Sequence, residues 1–300
     1  MISQRDAFFN SLFELAKDDK RIVVISADMG APSLDRWRLE LPHQFINVGV
    51  AEQNAVNVAT GMALEGFIPF AYAIGPFISL RVVEQIKIGP AIHRLPVTLV
   101  SIGAGLSYAN AGPTHHNIED LRVISSIPGV TVITCTDSAM ASVLPVLSVE
   151  KLRPFYYRLD RETRPVLHPR ISVPDLASEY PIKKYNNAPQ YVFSCGDLFH
   201  LVYKICGEES INCVDIFQVP ILQSLRNKIP KKAKILVLEE GIGLSSAVLE
   251  FSAEHNLEWE ISQAYIAHYR ETYGGRELMR GDEYVDRLIL NWRADRGTIS

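Results

Sequence analysis

The chain has 300 residues, 47% of them hydrophobic, and a formal net charge of -4, which is enough apolar material for one large domain or two ordinary ones. The charge and the lack of a basic tract give no reason to expect nucleic acid, and no apolar run reaches the roughly 20 residues of a membrane helix. Cys135, Cys195, Cys206 and Cys213 lack CxxC spacing, which indicates neither zinc nor a disulfide framework, and the acid-bearing N-terminus is unlike a signal peptide, so a soluble cytoplasmic protein is expected.

Phe8, Phe9, Leu12, Phe13 and Leu15 follow helical spacing and predict an opening helix. Short β-branched runs then alternate with helical stretches: "RIVVIS", "FINVGV", "IPFAYAI", "VTLVSIG", "TVITCT" and "FYYRL" read as strands. Runs that are apolar on both faces suit parallel strands covered by helices on both sides. Between them helices are predicted at about 51–65, 77–93, 118–126 and 138–151. "FINVGV" reads as a six-residue buried strand, followed by a helix with Glu52 in its first turn. Residues 1–163 thus form a doubly wound α/β domain with a parallel sheet. Residues 164–189 carry five prolines and little periodicity, as a crossing linker would. Alternation resumes over 190–300 as a smaller α/β domain, with strands at "YVFSCG", "INCVDIF", "KILVLEEG" and "LEWEISQAY", a helix near 244–255 and a last helix through Trp292.

A carboxylate at a helix start is favoured by the backbone donors there and disfavoured by burial. Under those opposed pressures Glu52 can share a proton with a ligand nitrogen, although a lone first-turn acid more often only complements the helix dipole. Its surroundings decide between the two. "GVAEQNAVNVATGMALEGFIPF" resembles the pyrimidine-binding domain of the transketolase family of thiamine diphosphate enzymes. "SADMG", "GPFISLRVVEQIK", "GAGLSYANAGPTHHNIEDL" and "YYRLDR" follow in the family's order. "LVLEEGIGLSSAVLEF" and "HYRETYGGRELM" resemble its C-terminal domain more loosely.

The resemblance implies that Glu52 hydrogen-bonds ring nitrogen N1′ of the cofactor's aminopyrimidine and so helps the cofactor become a nucleophile, chemistry that wants a dry, fixed carboxyl. It implies that Phe77 packs on the pyrimidine, with Leu80 and Val83 where relatives carry further aromatics. Asp28 is expected near the cofactor or a subunit seam, and Arg81 at the substrate channel, where a surface ion pair explains it nearly as well. His115 is expected on substrate hydroxyls and the reacting carbons, and His116 in packing or solvent. Neighbouring histidines in an extended segment point apart, so they make a poor metal site. Asn117 and Asp120 read as a helix-capping pair. Arg161 is expected to hold the sugar phosphate. For Arg158 a substrate contact and an ion pair with a nearby acid are equally balanced.

The chain departs from the family pattern at Ala111 and Gly103, where many relatives carry an acid and a histidine, and both bear on which sugar is accepted. It also lacks the Gly-Asp-Gly motif that anchors Mg²⁺ and diphosphate: Asp197 is followed by Leu198 and Asp282 by Glu283. No metal site is therefore expected in this chain. A separate N-terminal-type subunit is expected to supply Mg²⁺ in an α2β2 assembly that transfers a two-carbon ketol unit between sugars. The alternatives are the beta subunit of a two-oxoacid dehydrogenase, a deoxyxylulose-phosphate-synthase-like enzyme, or a non-catalytic scaffold of the same fold.

Overall fold

The computed structural model describes residues 2–265, 275–276 and 281–294. Most of "HYRETYGGRELM" therefore lies outside the described residues.

The first sheet grows from strands that are mostly apolar on both faces. β1 (Ile22–Ser26), β3 (Ile68–Ile74), β4 (Thr98–Ile102), β5 (Thr131–Thr134) and β6 (Phe155–Leu159) are parallel and almost wholly buried. β2 (Phe45–Asn47) and β10 (Gln218–Val219) close the edges in the order β10-β5-β6-β4-β3-β1-β2. β2 corrects the six-residue buried strand: only three residues pair, and at the edge of the sheet they are partly exposed. The helices are α1 (Gln4–Asp18), α2 (Pro32–Glu40), α3 (Glu52–Leu64), α4 (Val83–Ile86), α5 (Asp120–Ser125) and α6 (Ser138–Lys151). The predicted helix over 77–93 breaks into 3₁₀ turns, the short α4 and a π turn at Lys87–Ala91. Pro90 withholds one backbone donor there, and Pro76 fixes the first 3₁₀ turn.

The stretch 164–189 contains more structure than a bare linker. Ser172 and Asp175 form a capping box that opens α7 (Val173–Ser178), Tyr180 is buried, and β7 (Ile182–Lys183) joins the second sheet. That sheet runs β12-β11-β8-β9-β7, with β8 (Gln190–Ser194), β9 (Asn212–Asp215), β11 (Lys232–Glu239) and β12 (Glu258–Tyr265). α8 (Gly196–Glu208), α9 (Leu225–Lys228), α10 (Leu244–Glu254) and α11 (Asp282–Arg293) complete the described helices. Period-2 alternation divides the second sheet's side chains. Tyr191, Phe193, Ile235 and Val237 join the core of the first sheet, while Val192, Leu236 and Leu238 pack with α8 and α11 in a second core. β10, although it follows the linker, pairs antiparallel with β5. No helix among the described residues is long and apolar enough to cross a membrane.

A polar clasp also ties the two halves. His168 Nε2 lies 2.8 Å from Asp215 Oδ2, which accepts a 2.6 Å bond from Thr136 Oγ1. Burial pushes the His168 pKa down, but the bond to Asp215 and its charge outweigh that and leave it raised. A raised folded pKa stabilises the fold fully below the unfolded value of about 6.5, and that contribution is lost as pH rises through the folded value. The stability gap between wild type and Asp215→Asn, read from urea midpoints, should therefore shrink as pH climbs from 6 towards 8. A gap that stays constant would show that this pair does not titrate with folding.

Candidate active site

The chain passes from β1 to β2 on one side and then crosses back to β3 on the other, so the strand order reverses at β1. Open α/β sheets bind ligands at the carboxyl ends of strands near such a point. Four segments leave that edge side by side: the Ala27–Gly30 turn after β1, Gly75–Phe77 after β3, the 103–117 loop after β4, and Asp160–Arg161 after β6.

Glu52 is the first residue of α3 and is 3% exposed. Ala51, at the N-cap, makes no side-chain hydrogen bond, so Glu52 stands in a first turn with no side-chain cap before it. Among the described residues one side chain donates to it, Arg81, whose Nη1 lies 2.6 Å from Glu52 Oε2. Arg81 also covers the Phe77 ring, with its guanidinium carbon 4.4 Å from the centroid, and its side chain keeps 44% exposure. Phe77 meets the His115 ring edge to face at 5.4 Å. His115 Nδ1 is 3.0 Å from Thr114 Oγ1, and its ring is 6.1 Å from Tyr108. Arg161 then lies over Tyr108 at 4.5 Å and donates to Ser107 O at 3.2 Å. Glu52, Arg81, Phe77, His115 and Arg161 thus form one unbroken line of contacts, with Tyr108 completing it.

The ion pair anticipated as an alternative for Arg81 is present, but with Glu52 rather than a surface acid. Asp28 caps no helix. It is exposed, has φ +58°, and accepts a 3.0 Å bond from Asn47 Nδ2 at the mouth of β1 and β2. It therefore stands at the same edge, bonded to β2 rather than to the line.

Arg158 does not reach this line, which corrects its expectation as a substrate contact. Its guanidinium donates to both oxygens of Asp120, at 2.8 and 2.9 Å, and to Thr134 Oγ1 at 2.9 Å. Burial opposes its charge, but Asp120 outweighs burial and holds the pKa raised. Asp120 is fully buried and also accepts from Tyr156 Oη and Asn117 Nδ2, both at 2.7 Å. Asn117 and Asp120 are therefore not a helix cap: the N-cap of α5 is Glu119, with no side-chain bond. The pair instead braces the end of the 103–117 loop, since Ser79 Oγ donates to Asn117 Oδ1 at 3.3 Å. His116 is buried in packing, with Nε2 3.2 Å from Ala109 O.

Tyr108 is the site residue that sequence reasoning missed. A signal for it was present at Gly103, where the family pattern has a histidine. Gly103 has φ +97°, and a Cβ there would collide with the Tyr108 ring, so the glycine makes room for that ring in the site wall. Ala111 is exposed near the tip of the same loop. No group of three or more His, Cys, Asp or Glu side chains able to hold a metal ion occurs among the described residues.

Residues 1–165 match the transketolase pyrimidine-binding domain. The chain is 34% identical over 166 residues to one subunit of the apulose-4-phosphate transketolase of Phocaeicola vulgatus, covering 55% of this chain and 53% of that one. It is 28% identical over 307 residues to a 1-deoxy-D-xylulose-5-phosphate synthase of Helicobacter pylori, covering 97% of this chain and 49% of that protein. It thus spans about half the length of these curated relatives. A split-gene transketolase solved as an inactive β4 tetramer superposes with TM-score 0.80 at 24% identity, covering 96% of this chain and 97% of the other, which shows a shared fold. With residues 1–165, more than half of its length, matched by that domain, this chain belongs to the transketolase family of thiamine diphosphate-dependent transferases.

Proposed function

We propose that this chain is the pyrimidine-binding subunit of a two-chain transketolase that moves a two-carbon ketol unit between sugar phosphates. The observation that carries the reading is the line of contacts from Glu52 through Phe77 and His115 to Arg161 along one sheet edge. It links a buried carboxylate, through Arg81, to an aromatic ring at one end and reaches an exposed guanidinium at the other. Those groups fit the aminopyrimidine end of thiamine diphosphate. When bound, the cofactor supplies a carbon nucleophile able to add to a ketose carbonyl.

In this reading Glu52 holds a proton at ring nitrogen N1′, and Phe77 packs on the ring. Arg81 leaves Glu52 when the ring arrives and turns toward the substrate channel. His115 bonds substrate hydroxyls, and Arg161 binds the phosphate as a fork of donors. Asp28 stands at the cofactor or subunit seam. Residues 1–163 carry these groups as one domain, with 164–189 as the linker and 190–300 as the second domain.

The chain lacks a Gly-Asp-Gly motif, so Mg²⁺ and the diphosphate are assigned to an N-terminal-type partner subunit in an α2β2 assembly. Exposed apolar side chains on the elements that carry Glu52 and Arg81 support a partner: Val50 is 76%, Leu80 38%, Ile88 52% and Ile92 61% exposed. Titration calorimetry with thiamine diphosphate and Mg²⁺ tests the split. The chain alone should bind at least about 10²-fold more weakly than the chain with its partner, a loss in line with an unanchored diphosphate. Tight Mg²⁺-dependent binding by the chain alone would refute it. Release of carbon dioxide from pyruvate by the reconstituted pair, with no ketol transfer, would favour the synthase-like alternative.

A further inference from the structure

The second domain reaches the site edge through Arg276 and Glu240. Arg276 has a side chain only 2% exposed and sits among acids of both domains. Its Nε and Nη2 donate to the two oxygens of Glu240 at 2.8 and 2.7 Å, and Nη1 donates to Asp160 Oδ2. Asp197 lies 3.4 Å from Nε, and Nη2 also donates to Ala104 O at 3.3 Å. Glu240 in turn accepts from the backbone N–H of Leu106 at 3.2 Å. Gly105, between those two residues, has φ +59°, and a Cβ there would collide with Glu240 Oε2. The second domain therefore grips the main chain of the 103–117 loop at its base.

The grip passes directly to the site. Gly105 pairs with Asn117 through N–H···O bonds of 3.1 and 2.9 Å, which closes the loop two residues after His115. Asp160 accepts from Ser107 Oγ at 2.8 Å, and Arg161 holds Ser107 O, one residue before Tyr108. A buried ion cluster is a costly way to join two domains that already share an apolar core. It offers what an apolar contact lacks: directional bonds to chosen backbone groups.

We propose that Glu240 and Arg276 are positioning residues: they fix the 103–117 loop and thereby set His115, Tyr108 and Arg161 relative to the acceptor sugar. The link to a sugar rests on the transketolase reading, and the loop restraint does not. The test compares wild type with Arg276→Met, Arg276→Lys and Glu240→Gln. In the isolated chain, hydrogen exchange of residues 103–117 should quicken by about tenfold in Arg276→Met, as for loss of a charge-assisted bond, while β1 and β3 stay protected. Arg276→Lys should restore part of that protection. With the partner subunit, KM for the phosphorylated acceptor should rise about tenfold while kcat changes less than about threefold. Unchanged exchange at 103–117, or acceleration spread evenly over the chain, would overturn the proposal. If Arg276→Met does not fold, Arg276→Lys and Glu240→Gln decide it on the same readouts. Exchange needs neither substrate nor partner. Quickened exchange with a wild type that transfers no ketol would therefore sink the transketolase reading alone, and normal transfer with unchanged exchange would sink only the positioning role.

Discussion

Glu52→Gln, assayed with the partner subunit, is expected to lower ketol transfer by at least about 10²-fold, the lower bound for losing a positioned acid–base group. Glutamine keeps the length and shape of the side chain and can still accept a bond from Arg81, so the start of α3 and its packing should persist. What is lost is the ionisable oxygen. A buried carboxylate can hold a proton at a ring nitrogen and give it up again, whereas an amide presents either a fixed donor or a fixed acceptor. Circular dichroism and the assembled mass should match wild type. Unchanged turnover would return Glu52 to the ordinary role of an acid that complements a helix dipole. Its burial at 3% exposure argues against that role, since dipole partners need no removal from water.

The largest loss of stability is expected at Arg158→Met. This change strips two charge-assisted bonds from Asp120 and leaves a buried carboxylate that, among the described residues, keeps side-chain bonds from Tyr156 and Asn117. Breaking a buried pair from one side costs about 3–5 kcal/mol. Urea unfolding should show that loss with an unchanged slope. Adding Asp120→Asn should recover part of it, because the stranded charge disappears with its partner. A loss below about 1 kcal/mol would mean that water reaches Asp120 and that the pair is not the brace described above.

Much of the fold could be read in the sequence because the physics is local. β1, β3, β4, β5 and β6 announce themselves as runs too apolar for a half-exposed sheet, and each is buried. α3 begins at Glu52 and α6 at Ser138, where the pattern put them to within a residue. The misses come where long-range contacts override local pattern. "FINVGV" looks like its buried neighbours, but its place at an edge is a property of the whole sheet. β7 and β10 are two residues each and exist only because a distant strand pairs with them. The break in the helix predicted over 77–93 was legible in Gly89 and Pro90, which the apolar spacing outvoted.

The site divides in the same way. The motifs that carry Glu52, Phe77, Arg81, His115 and Arg161 meet at one sheet edge. Arg158, three residues before Arg161, faces the sheet interior, where Asp120 accepts two of its bonds and Thr134 another. The motif cannot separate the two arginines, because facing is set by register in the sheet and not by residue type. Tyr108, Glu240 and Arg276 lie within quoted motifs, but pattern alone assigns them no role; Tyr108 gains its place from Gly103 and Arg161, and Glu240 and Arg276 from the 104–106 backbone they hold.

One measurement bears most directly on the central claim: a density map of this chain assembled with its partner, thiamine diphosphate and Mg²⁺. It should show the Glu52 carboxyl about 2.6–3.0 Å from a pyrimidine ring nitrogen, the ring against Phe77, and Arg81 moved off Glu52. A map in which Arg81 still holds Glu52 while the ring lies elsewhere would contradict the account.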